Sequence, residues 1–166
     1  MKINAEVGDI ARWGDEVIVV NLFEGVGHPG GATGAVDAAL AHQITAMIAT
    51  GDLTGKFKEV VVLPTFDRVP AKRVLVVGLG IREEFTLDRV REVSAAAALR
   101  VRDMGRHTFA TIVHGAGVGH LDIADATEAL VEGTLLGLYR YTEHKTDNDH
   151  KKVESMTVVN LDRARA

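Results

Sequence analysis

Cysteine is absent from this 166-residue chain, which excludes disulfides, thiolate catalysis and cysteine-ligated zinc. Serine occurs only at Ser94 and Ser155. The first falls in a helical pattern and the second in a strand, so neither forms the strand–turn–helix elbow of a serine nucleophile. Basic charge is not in excess: the formal net charge is −4, which argues against a general binder of nucleic acid or of anionic membranes. No apolar run approaches the roughly 20 residues of a membrane span, and Met1-Lys2-Ile3-Asn4 does not begin a signal peptide. The cytoplasm is the default expectation. Aromatics are scarce, while Ala, Val and Gly are abundant, the composition of an ordinary globular domain with enough length for one core.

What is present is organised around residues 16–48. An apolar run, Val17 to Val20, passes into a loop with Gly25, Gly27, Gly30, Gly31 and Gly34, and a helical pattern follows at once. Strand, glycine loop and helix start together place free backbone N–H groups and a helix dipole at one point, a layout suited to phosphate or another anion. Thr33 is the expected N-cap. Val36, Leu40, Ile44, Met47 and Ile48 form one stripe of a single helix that Gly51 ends.

The remaining elements follow from periodicity and punctuation. Lys2 to Val7 alternates as a half-buried strand, and Val17 to Leu22 is apolar on both faces, as in a buried strand. Lys58–Leu63 and Lys72–Val77 are two strands joined closely enough for an antiparallel connection. Thr86 caps a helix lined by Val90, Val93, Ala97, Val101 and Met104, with Gly105 as its stop. Thr108 to Val113 is a further strand, followed by a second glycine loop, His114 to Gly119. A third helix is expected from about Asp122 to Tyr141, with Ala126, Leu130, Gly133, Gly137 and Tyr141 on one side, the small residues among them allowing close approach to the sheet. Thr142 to Lys152 reads as an exposed polar loop, Val153 to Leu161 as the last strand, and residues 162–166 as a tail. The expectation is one α/β domain over residues 1–161, a mixed sheet of about six strands with helices on both faces.

Two glycine loops of the same construction, each between a strand and a helix, occupy the crevice where α/β sheets bind ligands, and could hold a diphosphate between them. The alternative is that the glycines serve only to turn the chain. The G-L-G at Gly78 lacks a third glycine at dinucleotide spacing and reads as a strand end. His28, His114 and His120 fall in or beside the loops, but no carboxylate accompanies them at a metal-ligand spacing, so they read as ordinary loop histidines. Asp9, Asp15, Glu16 and Glu24 lie near the first strands without an acid–base pairing. Asp9 could receive an amino group of a base. Glu83, Glu84 and Asp88 suit a helix N-terminus.

From Thr33 onward the chain resembles the N-terminal domain of the leucyl aminopeptidase (cytosol aminopeptidase) family. The residues are G-A-V-D-A-A-L from Gly34, K-E-V-V-V-L-P-T from Lys58, K-R-V-L-V-V-G-L-G-I-R-E-E-F-T from Lys72, E-G-T-L-L-G-L-Y-R-Y from Glu132 and K-V-E-S-M-T-V-V from Lys152. The resemblance implies a macro-domain-like, three-layer αβα fold, standing before a separate peptidase domain that holds two divalent metals. The N-T-D-A-E-G-R-L signature of that domain is absent, so no catalytic residue and no metal ligand is carried over, and no cofactor is expected in this chain.

The chain is also similar to macro domains that bind ADP-ribose. V-G-D-I from Val7 resembles their G-D-I segment, which assigns Asp9 and Ile10 to the adenine. D-E-V-I-V-V-N resembles the strand that ends in the macro asparagine, here Asn21. G-G-A-T-G-A-V resembles the ribose and diphosphate loop, giving Gly30, Gly31, Thr33 and Gly34. H-G-A-G-V-G resembles the second phosphate loop, giving Gly115, Ala116, Gly117, Val118 and Gly119. Where macro hydrolases continue N-A-A-N, this chain has N-L-F-E. Glu24 replaces the second asparagine, and its carboxylate would repel phosphate and lacks an amide donor, which argues against de-ADP-ribosylation and weighs against binding.

Three functional readings follow. The first is a non-catalytic domain acting in assembly or regulation of a peptidase, a metalloaminopeptidase only when joined to a catalytic domain. The second is a macro-type binder of ADP-ribose or a related nucleotide. The third is an interaction module that forms homo-oligomers or engages a partner peptidase.

Overall fold

The computed structural model describes residues 1–116, 120–139 and 151–160. Its core is a six-stranded sheet of β1 (Lys2–Val7), β2 (Val17–Phe23), β3 (Val60–Pro64), β4 (Arg73–Gly80), β5 (Thr108–Thr111) and β6 (Ser155–Asn160), in the order β1-β6-β5-β2-β4-β3. Every neighbouring pair is parallel except β3 with β4, the expected antiparallel connection. Four helices flank it: α1 (Gly31–Ala39), α2 (Gln43–Thr50), α3 (Leu87–Asp103) and α4 (Ile123–Leu138).

Alternation along β2 explains the layering. Val17 and Val19 join Leu75, Val77, Phe109 and Met156 in a core beneath α3 and α4. Ile18, Val20 and Leu22 join Val74, Val76, Val36, Leu40 and Ile44 in a second core beneath α1 and α2. A strand buried on both faces needs apolar residues at every position, which is why this segment reads as an unbroken run. The architecture is three-layered αβα.

Several boundaries differ from the sequence expectation. The single helix expected after the first glycine loop is two. Ala41 and His42 take left-handed backbone angles, φ 54° and 62°, and divide α1 from α2 while Val36, Leu40 and Ile44 stay on one buried stripe. The break is held by Asp37, whose carboxylate accepts from the Thr45 amide at 3.0 Å and hydroxyl at 2.6 Å and lies 3.2 Å from His42 Nδ1. Thr33 is not the N-cap. Gly30 occupies that place, and Thr33, one turn inside, donates its hydroxyl to the Asn21 carbonyl at 2.8 Å.

The small residues of α4 approach α3 and not the sheet. A methyl group on Gly133 would overlap the Arg91 backbone, and one on Gly137 would lie 2.7 Å from Ala95 Cβ. β4 runs on through Gly78 to Gly80 because the chain from Gly55 to Phe57 crosses directly over it, leaving no room for a side chain at Gly78. Thr86 caps α3 as expected, accepting from the Arg89 amide. The expected Tyr141 end of the last helix, most of the Thr142–Lys152 loop, Leu161 and the tail lie outside the described residues.

Candidate functional site

Because β1, β6, β5, β2 and β4 all run in the same direction, their C-terminal ends share one edge of the sheet. A cleft of about 350 Å³ opens there, a size and position usual for small-molecule sites in α/β folds. Its walls come mainly from the ends of β1, β2, β5 and β6 and the start of α1. β2 contributes Asn21, Leu22 and Phe23; the chain after β5 contributes Ile112, Val113 and Ala116; β6 contributes Val159 and Asn160; the turn after β1 contributes Gly8 and Ile10. Gly30, Gly31, Ala32 and Thr33 close the side at the helix entrance. Gly31 has φ +54°, a backbone region that glycine enters without steric cost.

Of the residues singled out from sequence, the structure therefore gathers Ile10, Asn21, Gly30, Gly31, Thr33 and Ala116 around one cavity. Asp9, Gly34 and Gly115 are not among the lining residues. Asp9 Oδ1 accepts from the Ala11 amide at 2.9 Å, capping the turn that carries Ile10. Gly34 packs under Pro29, whose carbonyl lies 2.7 Å from where a Cβ would be. Gly115 has φ +80° and is packed against the Phe85 ring. Gly117, Val118 and Gly119 lie outside the described residues.

Polar groups in and below the cleft are few. Asn21 Nδ2 donates to His114 Nδ1 at 3.2 Å, so the imidazole carries its proton on Nε2. His114 is 1% exposed, and burial pushes its pKa down from 6.5 to about 4, which keeps it neutral at physiological pH. The other two loop histidines do not join it. His28 is exposed, and His120 Nε2 donates to the Phe85 carbonyl at 2.8 Å. Among the described residues no group of three or more His, Asp or Glu could hold a metal.

Two residues near the cleft change the picture drawn from sequence. Glu24 is exposed and does not line the wall, and its backbone N–H instead closes the strand end by donating to Gly80 O at 3.0 Å. Arg82 does line it. It follows β4 in a short turn, Arg82–Glu84, and its guanidinium stacks over the Phe23 ring at 4.5 Å. Sequence reasoning missed it; the available signal was an arginine two residues beyond the glycine that ends a strand at the cleft edge.

The family model described as "Cytosol aminopeptidase family, N-terminal domain" matches residues 19–148. The chain belongs to this family. Among its relatives, a protein of Roseiflexus castenholzii described as "probable cytosol aminopeptidase" is 30% identical over 162 residues, covering 96% of this chain and 30% of the relative. The chain thus spans less than a third of that relative's length. Solved structures agree on the fold. A tomato leucine aminopeptidase superposes with a TM-score of 0.75 at 19% identity, over 98% of this chain and 33% of that one. An Oceanobacillus iheyensis macrodomain solved with ADPR gives 0.73 at 17% identity, over 97% and 86%. The cytosol aminopeptidase N-terminal domain is thus a macro-domain-like fold here as well, with an open cleft at its strand ends.

Proposed function

We propose that this chain is a non-catalytic domain of a cytoplasmic cytosol-aminopeptidase-family protein, acting in assembly or regulation of the peptidase part. The observation that carries the reading is the family match over residues 19–148 in a chain that covers 30% of its relative's length. Assembly is supported further by the last turns of α4, where Leu135, Leu136 and Tyr139 are exposed; apolar area of this kind is what subunit contacts cover. Analytical ultracentrifugation tests it. Mixed with the peptidase part of a cytosol-aminopeptidase-family protein, the chain should sediment as a complex, and two independent boundaries at tens of micromolar would count against the reading. Run alone, it reports self-association.

The cleft favours a second and compatible reading, that the domain binds ADP-ribose or a related nucleotide. The supporting observation is a cavity of about 350 Å³ walled by Asn21, the entrance of α1 and Ala116, in a fold shared with a macrodomain solved with ADPR. Calorimetric titration with ADP-ribose should give a saturable isotherm; no heat and no thermal shift at millimolar ligand would remove this reading while leaving the first intact.

A further inference from the structure

Among the described residues eighteen line the cleft, and Arg82 is the one ionisable side chain among these. Apolar side chains, chiefly Ile10, Leu22, Phe23, Val26, Ile112 and Val159, share the wall with polar surface from Asn21, Thr33, Asn160 and backbone groups. No carboxylate among the described residues lines the cavity. Nor does Arg82 form an ion pair elsewhere among the described residues: Glu84, two positions on, is held by Arg89 at 2.9 Å. What Arg82 has is Phe23, over whose ring its guanidinium Cζ lies 4.5 Å from the centroid. A cation–π contact of this kind braces the guanidinium and does not use its N–H groups, which are the part that bonds phosphate or carboxylate oxygens in pairs.

We infer that Arg82, braced on Phe23, is the specificity-determining residue of the cleft: it selects a small ligand with an apolar or aromatic body and an anionic group, the body lying on the apolar wall and the anion on the guanidinium edge. The inference rests on the reading of the cleft as a ligand site. It also reverses the electrostatic expectation drawn from Glu24, since the charge in the wall is positive and the carboxylate stands outside it.

The test is calorimetry on the full chain, wild type beside Arg82→Ala and Arg82→Lys, with four probes: ADP-ribose, AMP, adenosine and the dipeptide leucylglycine. Arg82 is exposed, so both variants should melt with the wild type, which is checked first. Arg82→Ala should weaken ADP-ribose and AMP roughly ten- to a hundredfold, the range for losing charge-assisted hydrogen bonds, and leave adenosine unchanged. Arg82→Lys should fall between, since it keeps the charge and loses the fork. Comparison of AMP with leucylglycine tells a phosphate from a carboxylate occupant. If Arg82→Ala binds AMP and ADP-ribose as the wild type does, the inference is overturned and the cleft remains a ligand site. Silence of the wild type toward all four probes overturns the cleft reading and the inference with it.

Discussion

Asn21 on β2 and His114 beyond β5 meet at 3.2 Å, amide to imidazole, so the side chain that lines the cleft is held by one that solvent barely reaches. The contact has a cost in acid. Unfolded, the imidazole takes a proton near its ordinary 6.5; folded, burial delays that to about 4. Between those values the unfolded chain binds more protons, so stability falls as pH is lowered through the window and is flat above it.

The urea midpoint should therefore drop between pH 7 and pH 4.5, with a slope of up to about 1.4 kcal/mol per pH unit from this one group and about 3 kcal/mol across the window. In His114→Gln, which keeps a polar side chain without a titrating ring, the fall should be much shallower. Equal slopes in the two proteins would show that His114 does not carry it.

Asp37 is buried, with Thr45 bonded to both its oxygens. Burial acts to raise its pKa, but the Thr45 and His42 hydrogen bonds win and hold it below the usual carboxylate value. Asp37→Ala should cost about 1–3 kcal/mol in denaturant unfolding, chiefly from the unanswered Thr45 amide and hydroxyl. Asp37→Asn, which retains an acceptor, should cost less.

Gly133 lies against the Arg91 backbone where α4 crosses α3. Helix propensity alone would make Gly133→Ala stabilising by about 1 kcal/mol. Packing should reverse the sign, because the added methyl meets backbone and not a flexible side-chain end, and overpacking costs about 1–3 kcal/mol. A raised melting temperature for Gly133→Ala would mean that α3 and α4 can separate freely.

Leu136 is 73% exposed. Leu136→Lys should leave the melting transition within about 0.5 kcal/mol of wild type, as for most surface changes, while weakening association with the peptidase part in the ultracentrifuge. A loss of stability without a loss of association would place Leu136 in the domain's own packing.

Much of this fold can be read from residue order. Val17 to Val20 announces a doubly buried strand, the stripe from Val90 to Val101 announces α3, and the close spacing of β3 and β4 announces their antiparallel pairing. The α1–α2 break is invisible because Ala41 and His42 carry no glycine or proline signal. They are held left-handed by the hydrogen bonds Asp37 makes across the gap. The direction of the small face of α4 is hidden for a similar reason, since periodicity finds Gly133 and Gly137 on one side without saying which neighbour covers them.

The site shows the same division. Glycine loops and strand ends mark where a cleft forms, and Asn21, Gly30, Gly31 and Ala116 fall on it. Arg82 is not legible, because its place depends on β4 continuing to Gly80 and on Phe23 turning its ring to meet it. Glu24, one residue from Phe23, looks like a cleft residue in the sequence, yet its side chain lies outside the wall.

Hydrolysis of leucine p-nitroanilide by the purified chain tests most directly the proposal that this domain serves a peptidase without performing its chemistry. With manganese or zinc added, the rate should equal that of buffer and metal alone. Metal-dependent turnover that follows the chain through successive columns would contradict the account.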